Sequence, residues 1–219
     1  MLKLVCIMVL LWNVLAEVPS EKEREYIVNL HTELREEVNP PASNMLMLSY
    51  SNELETLADE WAKKCTFLYP DETFAPEYKG LGSGILSGNI NQSMSFEDLS
   101  ELKQEKLQFD YETNTCKKWC DFYKQAIWSM STEIGCAKQR CLLQPSKDYI
   151  YRVVCLYRPG VGFPTALPYE SGASCSKCPE GYVCERKQCT KQYKTTAVST
   201  RLSALWIIYG AMLICLYLA

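Results

Sequence analysis

Apolar residues recur at helical spacing in four stretches of the chain and cluster in short β-prone runs in four others. Ser20 and Glu23 form a capping box ahead of Tyr26, Ile27, Leu30, Leu34 and Val38, which predicts a helix ended by Pro40-Pro41. Over residues 52–67, Leu54, Leu57, Ala58, Trp61, Ala62 and Cys65 fall on one stripe. Ser95 and Asp98 open a third helix running through Leu99 and Leu102 toward Phe109. Over 117–130, Trp119, Tyr123, Ala126, Ile127 and Met130 make a fourth. Strands are predicted over 45–50, 84–90, 132–139 and 149–157. The last of these, Tyr149-Ile150-Tyr151-Arg152-Val153-Val154-Cys155, reads as a central strand from its β-branched and aromatic content. Helices and strands mix without steady βαβ alternation, which predicts an α+β fold with helices over a mostly antiparallel sheet.

The two ends change the picture. Lys3, the apolar run Leu4–Leu15 and small Val14 and Ala16 predict a secretory signal over 1–16 and a mature chain from Glu17. Leu202–Ala219 is an uncharged stretch of 18 residues with no basic residue after it. That pattern, with Thr195, Thr196, Ala197 and Ser199 upstream, favours a glycosylphosphatidylinositol signal over a transmembrane helix. Between the ends we read a main domain over 17–160, a Pro/Gly linker and cysteine-rich hinge over 161–190, and a polar stalk over 191–201. The expected location is the cell surface, anchored in the membrane at the C-terminus.

Of 219 residues 47% are hydrophobic and 22% charged, so the chain is globular. Its net charge is −3, and −5 once Lys3 and Arg201 are set aside, which excludes a broad nucleic-acid footprint. One histidine excludes any site that needs two imidazoles. Of the 12 cysteines, Cys6 and Cys215 lie in the end segments, and the even remainder behind a signal predicts disulfides. Four crowd into 175–189, a stretch too short to build its own core. Cys175 and Cys178 form a CxxC, which suits a redox motif, half a zinc knuckle or two bridges in a mini-module; the secreted setting favours the last. Asn91-Gln92-Ser93 is a glycosylation sequon and predicts an exposed loop at Asn91.

Four segments carry a resemblance. HTELREEVNPPASNMLMLSYSNELETLADEWAKKCTF (31–67), CDFYKQAIWSMSTEIGCAKQRC (120–141), YRVVCLYRPGV (151–161) and PYESGASCSKCPEGYVCERKQC (168–189) appear in the order of the CAP superfamily. That superfamily comprises cysteine-rich secretory proteins, antigen 5 and pathogenesis-related proteins. The last segment resembles the short hinge of its vertebrate peptidase-inhibitor and glioma-pathogenesis-related-like branch. The resemblance covers about residues 21–190 and implies an α-β-α sandwich followed by a small disulfide-stapled module. It implies bridges Cys65–Cys141, Cys136–Cys155, Cys175–Cys184 and Cys178–Cys189, and leaves Cys116–Cys120 as a local pair. A further bridge of some relatives has lost both its cysteines.

Many members of that family hold a divalent metal between two His and two Glu in a central cleft. By the resemblance, Tyr69 and Phe122 stand here for the two His and Ser83 for one Glu, while Glu105 is kept. Asp121 replaces a Gly and reads as a helix cap. A phenol, a hydroxyl and one carboxylate make a poor site for zinc, so no metal and no cofactor are expected. The resemblance makes His31, in His-x-x-Leu-Arg with Leu34 and Arg35, a structural residue, and Gln125 and Trp128 scaffold: a buried hydrogen-bonding group and a core side chain. Some relatives bind sterol near the loop that here carries Tyr69, Phe74 and Tyr78. The leading expectation is a non-enzymatic surface protein that recognises another extracellular protein, in adhesion or modulation and in a reproductive setting. It would bind through the remodelled cleft and the loops at 68–83 and 85–96. The alternatives are sterol or lipid binding and peptidase inhibition.

Overall fold

In chain order the elements are α1 (Glu21–Glu36), β1 (Ser49–Tyr50), α2 (Asn52–Lys63), a 3-10 turn (Pro76–Tyr78), β2 (Gly82–Ser87), a second 3-10 segment (Phe96–Glu101) running into α3 (Leu102–Lys106), β3 (Phe109–Asp110), β4 (Thr115–Cys116), α4 (Asp121–Ala126), β5 (Glu133–Leu142), β6 (Tyr149–Arg158), β7 (Tyr182–Glu185) and β8 (Gln188–Lys191). The computed structural model describes residues 17–70, 73, 75–160 and 165–191. The signal read over 1–16, Phe74, the stalk beyond Lys191 and the apolar tail lie outside the described residues. No helix among the described residues is long and apolar enough to cross a membrane.

The central sheet has the order β1-β5-β6-β2, with β5, β6 and β2 antiparallel and β1 parallel to β5. Side chains alternate across β6. Val153, Cys155 and Tyr157 join Ile27, Leu30 and Leu34 of α1 and Phe122 and Tyr123 of α4 in one core. Val154 and Leu156 join Leu54, Ala58 and Trp61 of α2 in the other. Two helical layers on one sheet make the α-β-α sandwich. Close approach matters at Gly135 of β5, where a Cβ would lie 2.2 Å from the backbone nitrogen of Glu55 in the first turn of α2.

Several boundaries differ from the periodic reading, each for a local reason. The second helix stops at Lys63 rather than 67, because Cys65 takes φ +51° and bridges to Cys141. The third begins as a 3-10 segment and ends at Lys106. The fourth spans only Asp121–Ala126, because the Cys116–Cys120 bridge holds the chain before it in a tight loop. After it, fully buried Arg35 donates to the carbonyls of Ala126 and Trp128 (2.9 Å each), Ser129 (3.3 Å), Ser131 (3.2 Å) and, across the chain, Leu46 (2.6 Å). Burial lowers the Arg35 pKa to about 9, so the guanidinium stays cationic at pH 7.

Of the strand read over 45–50, only Ser49–Tyr50 joins the sheet. Residues 45–47 instead receive the hinge. The Cys189 amide donates to the Met45 carbonyl (2.7 Å), and the Met47 amide donates to the Cys189 carbonyl (2.9 Å). Buried Gln188 donates to the Thr32 carbonyl at 3.1 Å, and Tyr169 reaches the Pro40 carbonyl at 2.9 Å. The hinge is thereby seated on the body of the fold. At the opposite end of the chain, Glu17 makes a two-bond backbone bridge to Lys138 of β5 (2.6 and 2.8 Å).

Candidate functional site

The cleft residues meet at the start of α4. Glu105, near the end of α3, accepts a hydrogen bond from the Tyr123 amide in the first turn of α4 at 2.9 Å. Burial raises the Glu105 pKa, and the nearby carboxylates of Asp121 and Glu101 add to the shift. Burial raises the pKa of Tyr69 as well, followed by the fields of Asp121 and Glu105, so these three groups share one environment. Asp121 lies in the first turn of α4, but the N-cap is Cys120 and no side-chain cap forms there.

Phe122, 3% exposed, turns inward from α4 onto β2. A Cβ on Gly84 would fall 2.0 Å from its ring, and a Cβ on Gly82 would fall 2.3 Å from the Gln125 carboxamide. Small residues at both positions let α4 lie directly on the strand. Gln125 is fully buried as expected, and neither Oε1 nor Nε2 of its carboxamide makes a hydrogen bond to protein atoms among the described residues.

Ser83 does not join this set. Gly82 and Gly84 pair with Tyr157 and Cys155 on the α1 side of the sheet, whereas Ser83 pairs with Leu156 on the α2 side. The pleat thus places Ser83 and Phe122 on opposite faces. Tyr78 is a second correction. It is 3% exposed, its ring stands edge-on to Trp61 at 5.1 Å, and its hydroxyl donates to the Leu57 carbonyl at 3.0 Å. It is a core residue and not a lipid-facing aromatic; Phe74, its proposed companion, lies outside the described residues. Trp128 is half-buried and lines a surface groove with Tyr111, Met130 and Leu167, so it is not core.

His31 is fully buried. Its Nδ1 donates to the Ile27 carbonyl (2.7 Å), and its Nε2 accepts from the Tyr157 hydroxyl (2.8 Å). Both nitrogens are occupied, and burial pulls the pKa down to about 4. The lone imidazole is a neutral strut between α1 and β6 and is unavailable as a base.

Three large side chains stand exposed, of which the apolar stripes include only Trp119. Phe67 and Leu68 are 71% and 72% exposed, and Trp119 is 85% exposed in the loop closed by Cys116–Cys120. Trp119 was expected on a helical stripe; the bridge keeps it off the helix. A signal was present in Phe67-Leu68-Tyr69, an aromatic-rich run just past the last polar turn of a helix. Asn91 occupies an exposed turn, with Nδ2 donating to Asp148 at 2.7 Å and Oδ1 accepting from the Tyr149 amide at 3.0 Å.

The residues present do not fit the divalent metal that the resemblance implies. A phenyl ring fills the position of one imidazole, Ser83 faces away, and one oxygen of Glu105 is spent on α4. Among the described residues, the one group of three or more potential metal donors is Cys175, Cys178 and Cys189, and all three are in disulfides.

Comparison with known proteins agrees with this geometry at the level of fold. The model of the cysteine-rich secretory protein family, CAP, matches residues 28–157. Glioma pathogenesis-related protein 1 of Mus musculus is 31% identical over 180 residues, covering 81% of this chain and 68% of that protein. Peptidase inhibitor 16 of Mus musculus is 30% identical over 181 residues, 78% of this chain but 34% of its own length. Among solved structures, NaASP2 with Zn2+ superposes with a TM-score of 0.57 at 23% identity, covering 81% of this chain and 98% of that one.

Proposed function

Because the chain belongs to the cysteine-rich secretory protein family, CAP, we propose that it is a non-enzymatic extracellular protein that recognises another extracellular or cell-surface protein at the rim of its altered cleft. The observation that carries this reading is the segment Phe67-Leu68. Its two side chains are largely exposed, while the Phe67 ring and the Leu68 backbone are held in place. Arg152 stacks on the Phe67 ring at 3.5 Å, and the Trp61 indole donates to the Leu68 carbonyl at 3.1 Å. Apolar side chains kept in water on an ordered segment are the usual anchors of a protein interface, because little entropy remains to be lost on binding. Tyr69 continues the patch into the cleft.

Catalysis has little support. The imidazole is consumed by Ile27 and Tyr157, and Ser83 and Glu105 lie on different faces. Sterol binding loses one of its three named aromatics, since Tyr78 is in the core. Peptidase inhibition stays the alternative: it needs only a rigid loop, and peptidase inhibitor 16 is among the similar proteins. Attachment to the membrane through a lipid at the C-terminus belongs to the same proposal, and release by a phosphatidylinositol-specific phospholipase tests it separately.

The experiment is binding of the purified protein to cells, followed by cross-linking and identification of what is captured. The double variant Phe67→Ser/Leu68→Ser should lose at least tenfold in binding while its thermal unfolding is unchanged. Equal binding by the variant, or capture of peptidases alone, overturns the reading.

A further inference from the structure

The hinge contains four cysteines in two short segments. Cys175 and Cys178 flank one turn, closed by the Cys178 amide on the Cys175 carbonyl at 3.2 Å. Cys184 and Cys189 are directly opposite each other in the β7–β8 hairpin. Two bridges, Cys175–Cys184 and Cys178–Cys189, join the turn to the hairpin. The sulfurs of Cys175, Cys178 and Cys189 all lie within 4.8 Å of one another, although Cys175 is bonded to neither of the other two. A thiolate at Cys175 would therefore sit within a rotamer change of the neighbouring bridge.

Access is graded. Of the ten cysteines among the described residues, Cys184 alone is exposed, while Cys175 and Cys178 are half-buried and Cys189 is 1% exposed. Cys136 and Cys155 are fully buried, and Cys141 and Cys120 shield one side of their own bridges. Cys184 is thus the residue of the hinge bridges most open to an incoming thiol.

We propose that the hinge is a thiol–disulfide exchange site for an external dithiol, in which the two inter-segment bridges are replaced by one local Cys175–Cys178 bridge. The dithiol's thiolate attacks Sγ of Cys184. The Cys175–Cys184 bond breaks, and its electron pair leaves on Cys175, giving a mixed disulfide at Cys184. The Cys175 thiolate attacks Sγ of Cys178; the Cys178–Cys189 bond breaks, and Cys189 leaves as a thiolate that takes a proton. The second thiol of the reagent closes onto its own sulfur, releasing Cys184 as a thiol and the reagent as a cyclic disulfide. One protein disulfide is reduced, one dithiol is oxidised, and Cys184 and Cys189 end as free thiols.

The seating of the two segments favours this route over simple opening. Lys177, inside the turn, donates its amide to the Ser43 carbonyl at 2.9 Å and pairs with Glu170. The hairpin is held separately through Cys189 to Met45 and Met47, Gln188 to Thr32, and Arg186 to Glu36 at 2.7 Å. Each segment stays in place without the bridges, so the sulfurs remain close while bonds are exchanged. The consequence is a hairpin uncoupled from the turn but still docked. The inference is independent of the recognition function proposed above.

The test is a dithiothreitol titration of the full chain, quenched with iodoacetamide and mapped by mass spectrometry. Cys184 and Cys189 should be alkylated first, together with a Cys175–Cys178 bridge, while Cys65–Cys141 and Cys136–Cys155 are intact. Alkylation of Cys175 and Cys184 as a pair with Cys178–Cys189 intact throughout overturns the proposal, as does hinge opening no earlier than Cys65–Cys141. A second measurement uses Cys184→Ser, which leaves Cys175 without its partner. Above pH 8 this variant should divide between Cys175–Cys178 and Cys178–Cys189 bridges. A Cys175 thiol that is alkylated completely, with no Cys175–Cys178 bridge, counts against the exchange.

Discussion

Protonating His31 would turn Nε2 from acceptor to donor toward the Tyr157 hydroxyl and leave a charge fully buried in the field of Arg35, whereas the neutral ring donates through Nδ1 and accepts through Nε2 at no such cost. In the unfolded chain the imidazole takes a proton near pH 6.5; in the folded chain burial, offset in part by the Ile27 carbonyl, delays this to about pH 4. The contribution is fully present above pH 6.5 and is lost as the pH falls toward 4, because over that window the unfolded state binds more protons. Urea unfolding at pH 7.5 and pH 5 should show the wild type losing about 2 kcal/mol more than His31→Gln from this group. Equal losses in the two proteins would contradict this role. That a lone histidine on an apolar stripe is structural was legible in the sequence. Its partner Tyr157, 126 residues away, was not, because only the α1–β6 contact brings them together.

At the scale of elements, the α4–β2 contact replaces the expected polar cleft with packing. Gly84→Ala should cost roughly 1–3 kcal/mol, because the new methyl meets the Phe122 ring. In the double variant Gly84→Ala/Phe122→Ala the alanine has room, so the two effects should fall short of additivity by about 1 kcal/mol or more. A thermodynamic cycle from chemical denaturation measures this; strict additivity would mean that the ring is not pressed on the strand. Helix stripes and the β6 run were readable because periodicity is a local property. The true ends of α2 and α4 were not, because Cys65–Cys141 and Cys116–Cys120 terminate or delay them, and a bridge over 76 residues leaves no local trace.

For the whole molecule, the hinge behaves as part of the fold. Tyr169 is 4% exposed within the main core, and Gln188 and Cys189 are buried against α1 and residues 45–47. A chain ending before Pro168 should melt roughly 5–10 °C lower than the full chain. An unchanged melting temperature in scanning calorimetry would show the hinge to be an independent appendage. The cysteine-rich composition of 175–189 announced a stapled module, but nothing in the composition announced that residues 45–47, 142 positions from Cys189 at the nearest, would receive it.

Taken alone, the sequence determined the class of fold, the even set of ten cysteines outside the end segments, the acidic charge and the shortage of imidazole. These are local or additive properties that need no knowledge of neighbours. The tertiary structure decided which face each side chain takes. One pairing register puts Gly84 under Phe122 and turns Ser83 to the other layer, and packing on Trp61 carries Tyr78 into the core. Sheet parity is set by contacts between distant strands, so residues adjacent in the chain can belong to opposite sides of the molecule.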